Sequence, residues 1–265
     1  MVEFKSYAPG TFCWVDLATT DAEGAKKFYT NLFDWTATDV PAGEAGTYTM
    51  LEKAGKNVCA LYQIPAEMQH SGPPYWLSYV AVENVDDSTA QAQALGGQVL
   101  QPPCDVMESG RMSLLQDPTG AVFALWQPGQ HMGADLVNEP NTFCWNELQT
   151  KDLAAATDFY TKLFGWTTHS SKNALGGDYT EFQRAGNSGA GMIEIQPDWG
   201  EVPPNWVVYF AVEDCDATLK KAQNLGGRAD MTPIEIPDVG RFVILQDPQG
   251  GYFTIIEMSE QSATA

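Results

Sequence analysis

The segment GRMSLLQDPTG at residues 110–120 recurs as GRFVILQDPQG at residues 240–250, and this repeat decides how the chain is organised. The offset between the two segments is 240 − 110 = 130 residues. The same offset carries WLSYVAVENVD at residue 76 to WVVYFAVEDCD at residue 206. Earlier in the chain, TFCWVDL at residue 11 returns as TFCWNEL at residue 142, an offset of 142 − 11 = 131. Similar segments that recur in one order at a nearly constant spacing indicate two tandem copies of one module.

The first half of each copy has the pattern of a strand, a helix and further strands. Residues 12–18 alternate as a strand does, and Asp21 stands where it can cap a following helix. Short strands are expected near residues 48–52 and 58–64. The helix is expected to bury one apolar face, made of Ala25, Phe28, Tyr29, Leu32 and Phe33.

The second half of each copy repeats that order. A strand is expected at residues 76–82, and a helix from about Asp86 that ends at Gly96-Gly97. The sequences DPTG and DPQG have the chemistry of tight turns between two strands. Each copy therefore reads as two βαβββ units, which makes four units in an α+β chain.

The repeat also predicts the domain boundaries. An N-terminal arm covers residues 1–10, module 1 covers 11–127 and module 2 covers 142–258, with a tail at 259–265. Between the modules, the segment PGQHMGADLVNEPN at residues 128–141 carries the Gly, Pro and Asn of a linker.

Composition excludes several classes of function. A net charge of −20 repels phosphate backbones and anionic lipids, so neither nucleic acid nor membrane is an expected partner. The N-terminus lacks the pattern of a secretory signal, and five cysteines without a CxxC pair favour a reducing compartment. We therefore expect a cytoplasmic protein, monomeric or homodimeric, whose acidic surface could attract a cationic ligand.

These motifs together resemble one known superfamily. An opening strand, an acidic helix cap, FYxxLFxW at residues 28–35 and 159–166, and the closing GRxxxLQDPxG are similar to the glyoxalase/bleomycin-resistance/dioxygenase (vicinal oxygen chelate) superfamily. The two-module arrangement resembles a glyoxalase-like branch often labelled hydroxylase or antibiotic-resistance protein. The resemblance covers nearly the whole chain, and it implies that paired βαβββ units form curved, mixed sheets with a cup-shaped face.

The resemblance also implies where a divalent metal would bind. Metal-using members take His, Gln or Glu ligands from the opening and last strands of the units, and none of the matching residues here is a good ligand. Scattered His70, His131 and His169 are expected on the surface, so no metal cofactor is predicted, although a site built from carboxylates stays open. The six matching positions are Trp14, Leu77, Trp145, Val207, Ala124 and Thr254.

Strand alternation predicts an aromatic concave face instead. Cys13, Val15 and Leu17 are expected to face the helices, with the thiols inert. The opposite, concave face would then carry Phe12, Trp14 and Asp16 in module 1, Phe143, Trp145 and Glu147 in module 2, and Tyr79, Tyr209 and Trp126 from later strands.

Three interpretations of this face remain open. The first is a slot that stacks a small planar or largely apolar molecule, oriented by Asp16 or Glu147 and by Tyr79 or Tyr209, for sequestration, resistance or metabolite tailoring. The second is an enzyme, a lyase, isomerase or hydroxylase/oxygenase-type protein, in which those carboxylates act as bases or a metal is used. The third is that the tryptophans only fill the cups or form an interface.

Overall fold

The computed structural model describes residues 2–43, 46–69, 72–172 and 177–259. Module 1 forms one eight-stranded sheet and module 2 another. Module 1 contains β1 (Phe12–Thr19), α1 (Ala22–Phe33), β2 (Thr36–Pro41), β3 (Thr47–Lys53), β4 (Lys56–Gln63), β5 (Tyr75–Ala81), α2 (Val85–Ala94), β6 (Gln98–Val106), β7 (Gly110–Gln116) and β8 (Val122–Pro128). Module 2 contains β9 (Phe143–Thr150), α3 (Leu153–Phe164), β10 (Thr167–Lys172), β11 (Asp178–Arg184), β12 (Asn187–Glu194), a short 3-10 helix (Pro197–Trp199), β13 (Asn205–Val212), α4 (Cys215–Asn224), β14 (Ile234–Ile236), β15 (Gly240–Gln246) and β16 (Tyr252–Met258).

Both sheets have the same mixed topology. The strand order in module 1 is β2-β3-β4-β1-β5-β8-β7-β6, and module 2 repeats it strand for strand. The two βαβββ units of a module meet where β1 runs antiparallel to β5, while β4 and β8 lie parallel to β1 and β5. This confirms the predicted α+β class with four βαβββ units. It also shows that the two units of each copy pair with each other.

The first helix of each module forms for the predicted reasons. The Asp21 carboxylate caps α1 by accepting a hydrogen bond from the backbone N–H of Gly24 at 3.0 Å, and Asp152 caps α3 in the same way. The buried face of α1 consists of the five residues that the apolar spacing predicts, Ala25, Phe28, Tyr29, Leu32 and Phe33. In the described part of the chain, no helix is long and apolar enough to cross a membrane.

The helices of both modules lie between the two sheets. Phe33 of α1 packs on Phe210 of β13 with ring centroids 5.2 Å apart, and Phe159 of α3 packs on Phe123 of β8 at 6.1 Å. Each module therefore buries its helix-covered face against the other module. The concave faces of the two sheets point away from this interface.

Two buried hydrogen-bond chains cross the interface. The Tyr29 hydroxyl donates to Oδ2 of Asp247 at 2.9 Å and accepts a hydrogen bond from Trp76 Nε1 at 3.2 Å. The repeat-related chain joins Tyr160, Asp117 and Trp206. The aspartate of each DPxG turn thus binds a tyrosine of the other module's first helix, so the turn links the modules as well as its own strands.

The structure corrects the predicted orientation of Phe12 and Phe143. Phe12 pairs with Val80 but Trp14 pairs with Tyr79, so β1 contains a bulge at Cys13. The extra residue reverses the alternation, and Phe12 packs on Trp206 at 5.0 Å on the helix side. Phe143 lies on the same side, because it pairs with Phe210 before an equivalent bulge in β9. The prediction that these two phenylalanines line the concave faces is wrong.

A cysteine lies at each bulge, Cys13 in β1 and Cys144 in β9. Cys13 contacts Gly133 of the linker, and its Sγ donates to the Tyr79 carbonyl at 3.6 Å. Burial raises the pKa of Cys13 well above that of a free thiol and raises the pKa of Cys144 to about 12. Both thiols are therefore protonated near neutral pH and poorly reactive.

Candidate ligand-binding site

The concave face of module 1 is centred on Asp16, which is 1% exposed. The hydroxyls of Tyr48 and Tyr79 each donate to its Oδ2 at 2.8 Å. Trp14 Nε1 donates to the Tyr48 hydroxyl at 2.9 Å, so the indole ring is held beside the carboxyl group. The second oxygen, Oδ1, is buried and has no hydrogen-bond partner among the described residues. A buried polar atom without a partner is unfavourable, and a bound molecule can satisfy it.

Burial dominates the ionisation of Asp16. It raises the pKa of this carboxyl to about 7, against the opposing effect of the two tyrosine hydrogen bonds. Burial also raises the pKa of Tyr48 and Tyr79 well above the ordinary value, so both stay protonated donors. Near neutral pH, Asp16 can therefore accept or donate a proton at Oδ1.

This shift predicts how stability depends on pH. An unfolded aspartate ionises near pH 3.9, so between that value and about 7 the folded state binds the additional proton. The stabilisation is therefore full at low pH and is lost as pH rises toward 7. Between pH 5 and pH 8, the free energy of unfolding of the wild type should fall by about 2.5 kcal/mol more than that of Asp16→Asn. Urea denaturation at both pH values measures this difference.

Asp86→Asn is the control for that measurement. Asp86 is exposed, and its hydrogen bond to Arg111 lowers its pKa rather than raising it. If Asp16→Asn keeps the full pH dependence of the wild type, Asp16 does not titrate near neutrality.

Module 2 carries an equivalent arrangement around Glu147. The Tyr209 hydroxyl donates to Oε1 of Glu147 at 3.0 Å, and Tyr179 is a second hydrogen-bond partner. Trp145 Nε1 donates to the Tyr179 hydroxyl at 3.0 Å, as Trp14 does to Tyr48. Burial again raises the pKa of the carboxyl group. Thr254 of β16 lies beside Tyr209 of β13 in the strand register. Its hydroxyl is buried and has no hydrogen-bond partner in the described part of the chain.

Sequence analysis missed Tyr48 and Tyr179, although a signal was present. The pair Tyr48-Thr49 recurs as Tyr179-Thr180 at an offset of 179 − 48 = 131, the offset of the opening strands. Tyr48 lies on β3 and Tyr179 on β11, and each binds the carboxyl group of its own module.

The other predicted site residues do meet on the concave faces. The strand register places Leu77 beside Asp16 and Ala124 beside Tyr79. The ring of Trp126 lies 6.3 Å from that of Tyr79. In module 1 the structure brings together Trp14, Asp16, Leu77, Tyr79, Ala124 and Trp126, and in module 2 it brings together Trp145, Glu147, Val207, Tyr209 and Thr254.

The two concave faces differ in accessibility. Trp14 and Leu77 are each 3% exposed, whereas their counterparts Trp145 and Val207 are only half-buried. The linker accounts for part of the difference, because His131 packs against Trp14 with ring centroids 4.5 Å apart. His131 is half-buried rather than a free surface residue, while His169 is exposed as predicted and His70 lies outside the described residues.

The donor atoms on these faces do not fit the divalent metal of metal-using relatives. Each face offers one carboxyl group with tyrosine hydroxyls, beside apolar residues such as Leu77 and Val207. No group of three or more His, Cys, Asp or Glu residues lies together within the described ranges. A first-row metal site normally uses three or more such ligands.

Features away from the concave faces are weaker candidates for a binding site. Arg111 and Arg241 form ion pairs with Asp86 and Asp216, which lie in the first turns of α2 and α4. A cleft of about 190 Å³ lies beside Phe12 at the module junction, and one of about 520 Å³ lies near the start of α1. Neither cleft is lined by the carboxyl groups described above.

The fold and the paired concave faces define a tandem protein of the vicinal oxygen chelate type. Residues 11–125 and 140–255 match the model of the Glyoxalase/Bleomycin resistance protein/Dioxygenase superfamily. The chain therefore belongs to this superfamily.

Relatives extend over the full length of the chain. It is 43% identical over 262 residues to "Putative glyoxylase CFP32" of Mycobacterium tuberculosis, covering 98% of this chain and 100% of that protein. It is 37% identical over 265 residues to the "Anthracycline biosynthesis protein DnrV" of Streptomyces peucetius, covering 96% and 95%.

Solved structures share the fold at low sequence identity. The Mn(II)-bound glyoxalase from Novosphingobium aromaticivorans superposes with a TM-score of 0.66 at 15% identity, over 97% of this chain and 85% of that chain. The 2,3-dioxygenase LapB from Pseudomonas sp. KL28 gives 0.65 at 13% identity, over 95% and 93%. At such identities the likeness concerns the fold alone.

Proposed function

We propose that this protein binds a small, planar or largely apolar organic molecule on the concave face of module 2, without a divalent metal. One observation carries the proposal: a buried carboxyl group, capped by two tyrosines, lies beside the half-buried Trp145. The indole supplies a stacking surface, and Glu147 and the unpartnered Thr254 hydroxyl supply polar contacts. Such binding would serve sequestration and resistance or the tailoring of a metabolite.

The relatives and the surface charge support a flat ligand with a cationic group. One relative is named for anthracycline biosynthesis. Anthracyclines as a chemical class combine fused planar rings with an amino sugar. A net charge of −20 attracts cations to the surface. Within the site, a cation beside Glu147 would favour the ionised carboxylate and so oppose the effect of burial on its pKa.

Titration with doxorubicin, an anthracycline whose fluorescence changes on binding, tests this proposal. Trp145→Ala should raise the Kd about tenfold or more, because a stacked aromatic contact is lost. Glu147→Gln should weaken binding by removing the charge that faces the amino group. Isothermal titration calorimetry provides an independent Kd.

Glu194→Gln is the matched control, since it makes the same charge change at an exposed residue of β12. It should leave the Kd unchanged. If the Glu147 and Glu194 variants weaken binding equally, long-range electrostatic attraction explains the affinity, and the proposed position of the ligand beside Glu147 is wrong.

A second candidate function is an enzyme that uses a carboxylate base. The pKa of about 7 for Asp16, which accepts hydrogen bonds from Tyr48 and Tyr79, favours it, because a general base works best when its pKa lies near the operating pH. Glu147, whose pKa burial also raises, is the equivalent group on the open face of module 2 and could abstract a proton from an activated carbon of the ligand. The pH experiment on Asp16→Asn bears on this candidate directly, since an aspartate that ionises near pH 4 would be a weak base.

A further inference from the structure

The linker crosses the concave face of module 1 and is firmly attached there. The backbone N–H of Ala134 donates to the Cys13 carbonyl at 2.8 Å, and that of Asp135 donates to the Asn57 carbonyl at 2.8 Å. The Tyr7 hydroxyl of the N-terminal arm donates to the Ala134 carbonyl at 2.7 Å. Ala134, Leu136 and Val137 are buried. This segment therefore forms part of the folded module rather than a loose connection.

The linker places the imidazole of His131 between two tryptophans. Its ring centroid lies 4.5 Å from that of Trp14, with the ring planes at 86°, and 5.8 Å from that of Trp126, with the planes at 69°. Both contacts have the edge-to-face geometry that aromatic rings prefer. Trp126 Nε1 also donates to the His131 carbonyl at 2.9 Å, which fixes the backbone at this residue.

Two polar atoms on this face lack a hydrogen-bond partner in the described part of the chain. Nε2 of His131 is buried without a partner among the described residues, and burial lowers the pKa of the imidazole. Oδ1 of Asp16, on the same concave face, is also unpartnered. Aromatic contacts hold the ring, but its Nε2 receives no hydrogen bond from the described residues. An imidazole held by edge-to-face aromatic contacts occupies the position that a bound planar ring would take.

We propose that the slot between Trp14 and Trp126 is a binding site for a flat nitrogen heteroaromatic ring, which the chain fills with its own His131. The two modules then differ in role: module 2 presents an open face, and module 1 carries a closed one. This inference rests on the proposed function only in treating the concave faces as binding surfaces. Its test uses imidazole and module 1, so it can fail or succeed independently of the doxorubicin titration.

The test is chemical rescue of His131→Ala by imidazole. Removing the ring leaves a cavity between the two tryptophans. Because the lost packing destabilises the fold, the Tm should fall by about 5 °C. Imidazole at millimolar concentration and pH 8, where it is mostly neutral, should refill the hole and restore at least half of that loss in a saturable manner. Differential scanning calorimetry measures both changes.

Two variants control the experiment. His131→Phe keeps a flat ring in the slot, so it should retain most of the wild-type Tm and show no response to imidazole. His169→Ala removes an exposed histidine of β10 and should behave as the wild type does.

An equal imidazole effect on all four proteins, or none on His131→Ala, would overturn the proposal. If His131→Ala does not fold alone, folding restored by imidazole supports the proposal, and failure to fold in imidazole overturns it.

Discussion

Asp247→Ala is expected to lower the free energy of unfolding by about 3–5 kcal/mol, because one side chain supports two structures. Oδ1 of Asp247 accepts hydrogen bonds from the backbone N–H groups of Gln249 and Gly251 at 2.9 and 2.8 Å, which hold the DPQG turn. Oδ2 accepts the hydroxyl of Tyr29 from the other module. The residue is 2% exposed, so water cannot replace these bonds. Guanidinium denaturation followed by circular dichroism measures the loss.

The location of this bond also predicts cooperative unfolding. Asp247→Ala weakens module 2 and the interface together, so both modules should unfold in one transition in the wild type and in the variant. Asp117→Ala should have a similar effect, since Oδ2 of Asp117 accepts a hydrogen bond from the Tyr160 hydroxyl across the same interface. Asp216→Ala, which removes an exposed partner of Arg241, is the control and should unfold as the wild type does. Two separate transitions in Asp247→Ala would show that the modules fold independently.

The sequence predicts those parts of the fold that local patterns determine. The buried face of α1 follows from apolar spacing at helical intervals, and the Asp21 cap follows from its position before that spacing. The edge strands β2 and β10 show the limit, because all six residues of each are exposed. A strand with no buried side has no alternation to recognise.

The bulges show a second limit. One extra residue at Cys13 leaves the composition of β1 typical of a strand but reverses the faces on either side of it. Alternation therefore places Trp14 and Asp16 correctly and Phe12 incorrectly. No local feature of the segment distinguishes a bulged strand from a regular one.

The site shows a third limit, which concerns long-range contacts. Asp16 and Tyr79 are predictable together because each lies on a strand with a clear apolar side. The contact between His131 and Trp14 joins residues that are 131 − 14 = 117 positions apart, through a segment whose Gly, Pro and Asn content is typical of a linker. Its backbone hydrogen bonds to Cys13 and Asn57 depend on the finished sheet.

The two copies thus share a carboxyl group and tyrosines on the concave face, but they differ in the segment that covers this face. Both copies retain the residues that cap the helices and join the modules: the capping aspartates, the DPxG turns, and the tyrosines of α1 and α3. The cover over module 1 comes from the linker, a segment that exists once between two copies. Two tryptophans at repeat-related positions can therefore have different roles.

Trp14→Ala and Trp145→Ala should separate those roles. Trp14 is 3% exposed and packs against the linker ring, so its removal leaves a cavity and should lower the free energy of unfolding by about 3–5 kcal/mol. Trp145 is half-buried and lacks such a contact in the described structure, so its removal should lower that free energy by about 1 kcal/mol. Doxorubicin binding should show the reverse order, with Trp145→Ala the more damaging change. Urea denaturation and fluorescence titration of the same two variants give both rankings. Equal losses of stability would mean that both faces are packed cores, since an open slot tolerates truncation that a filled one does not.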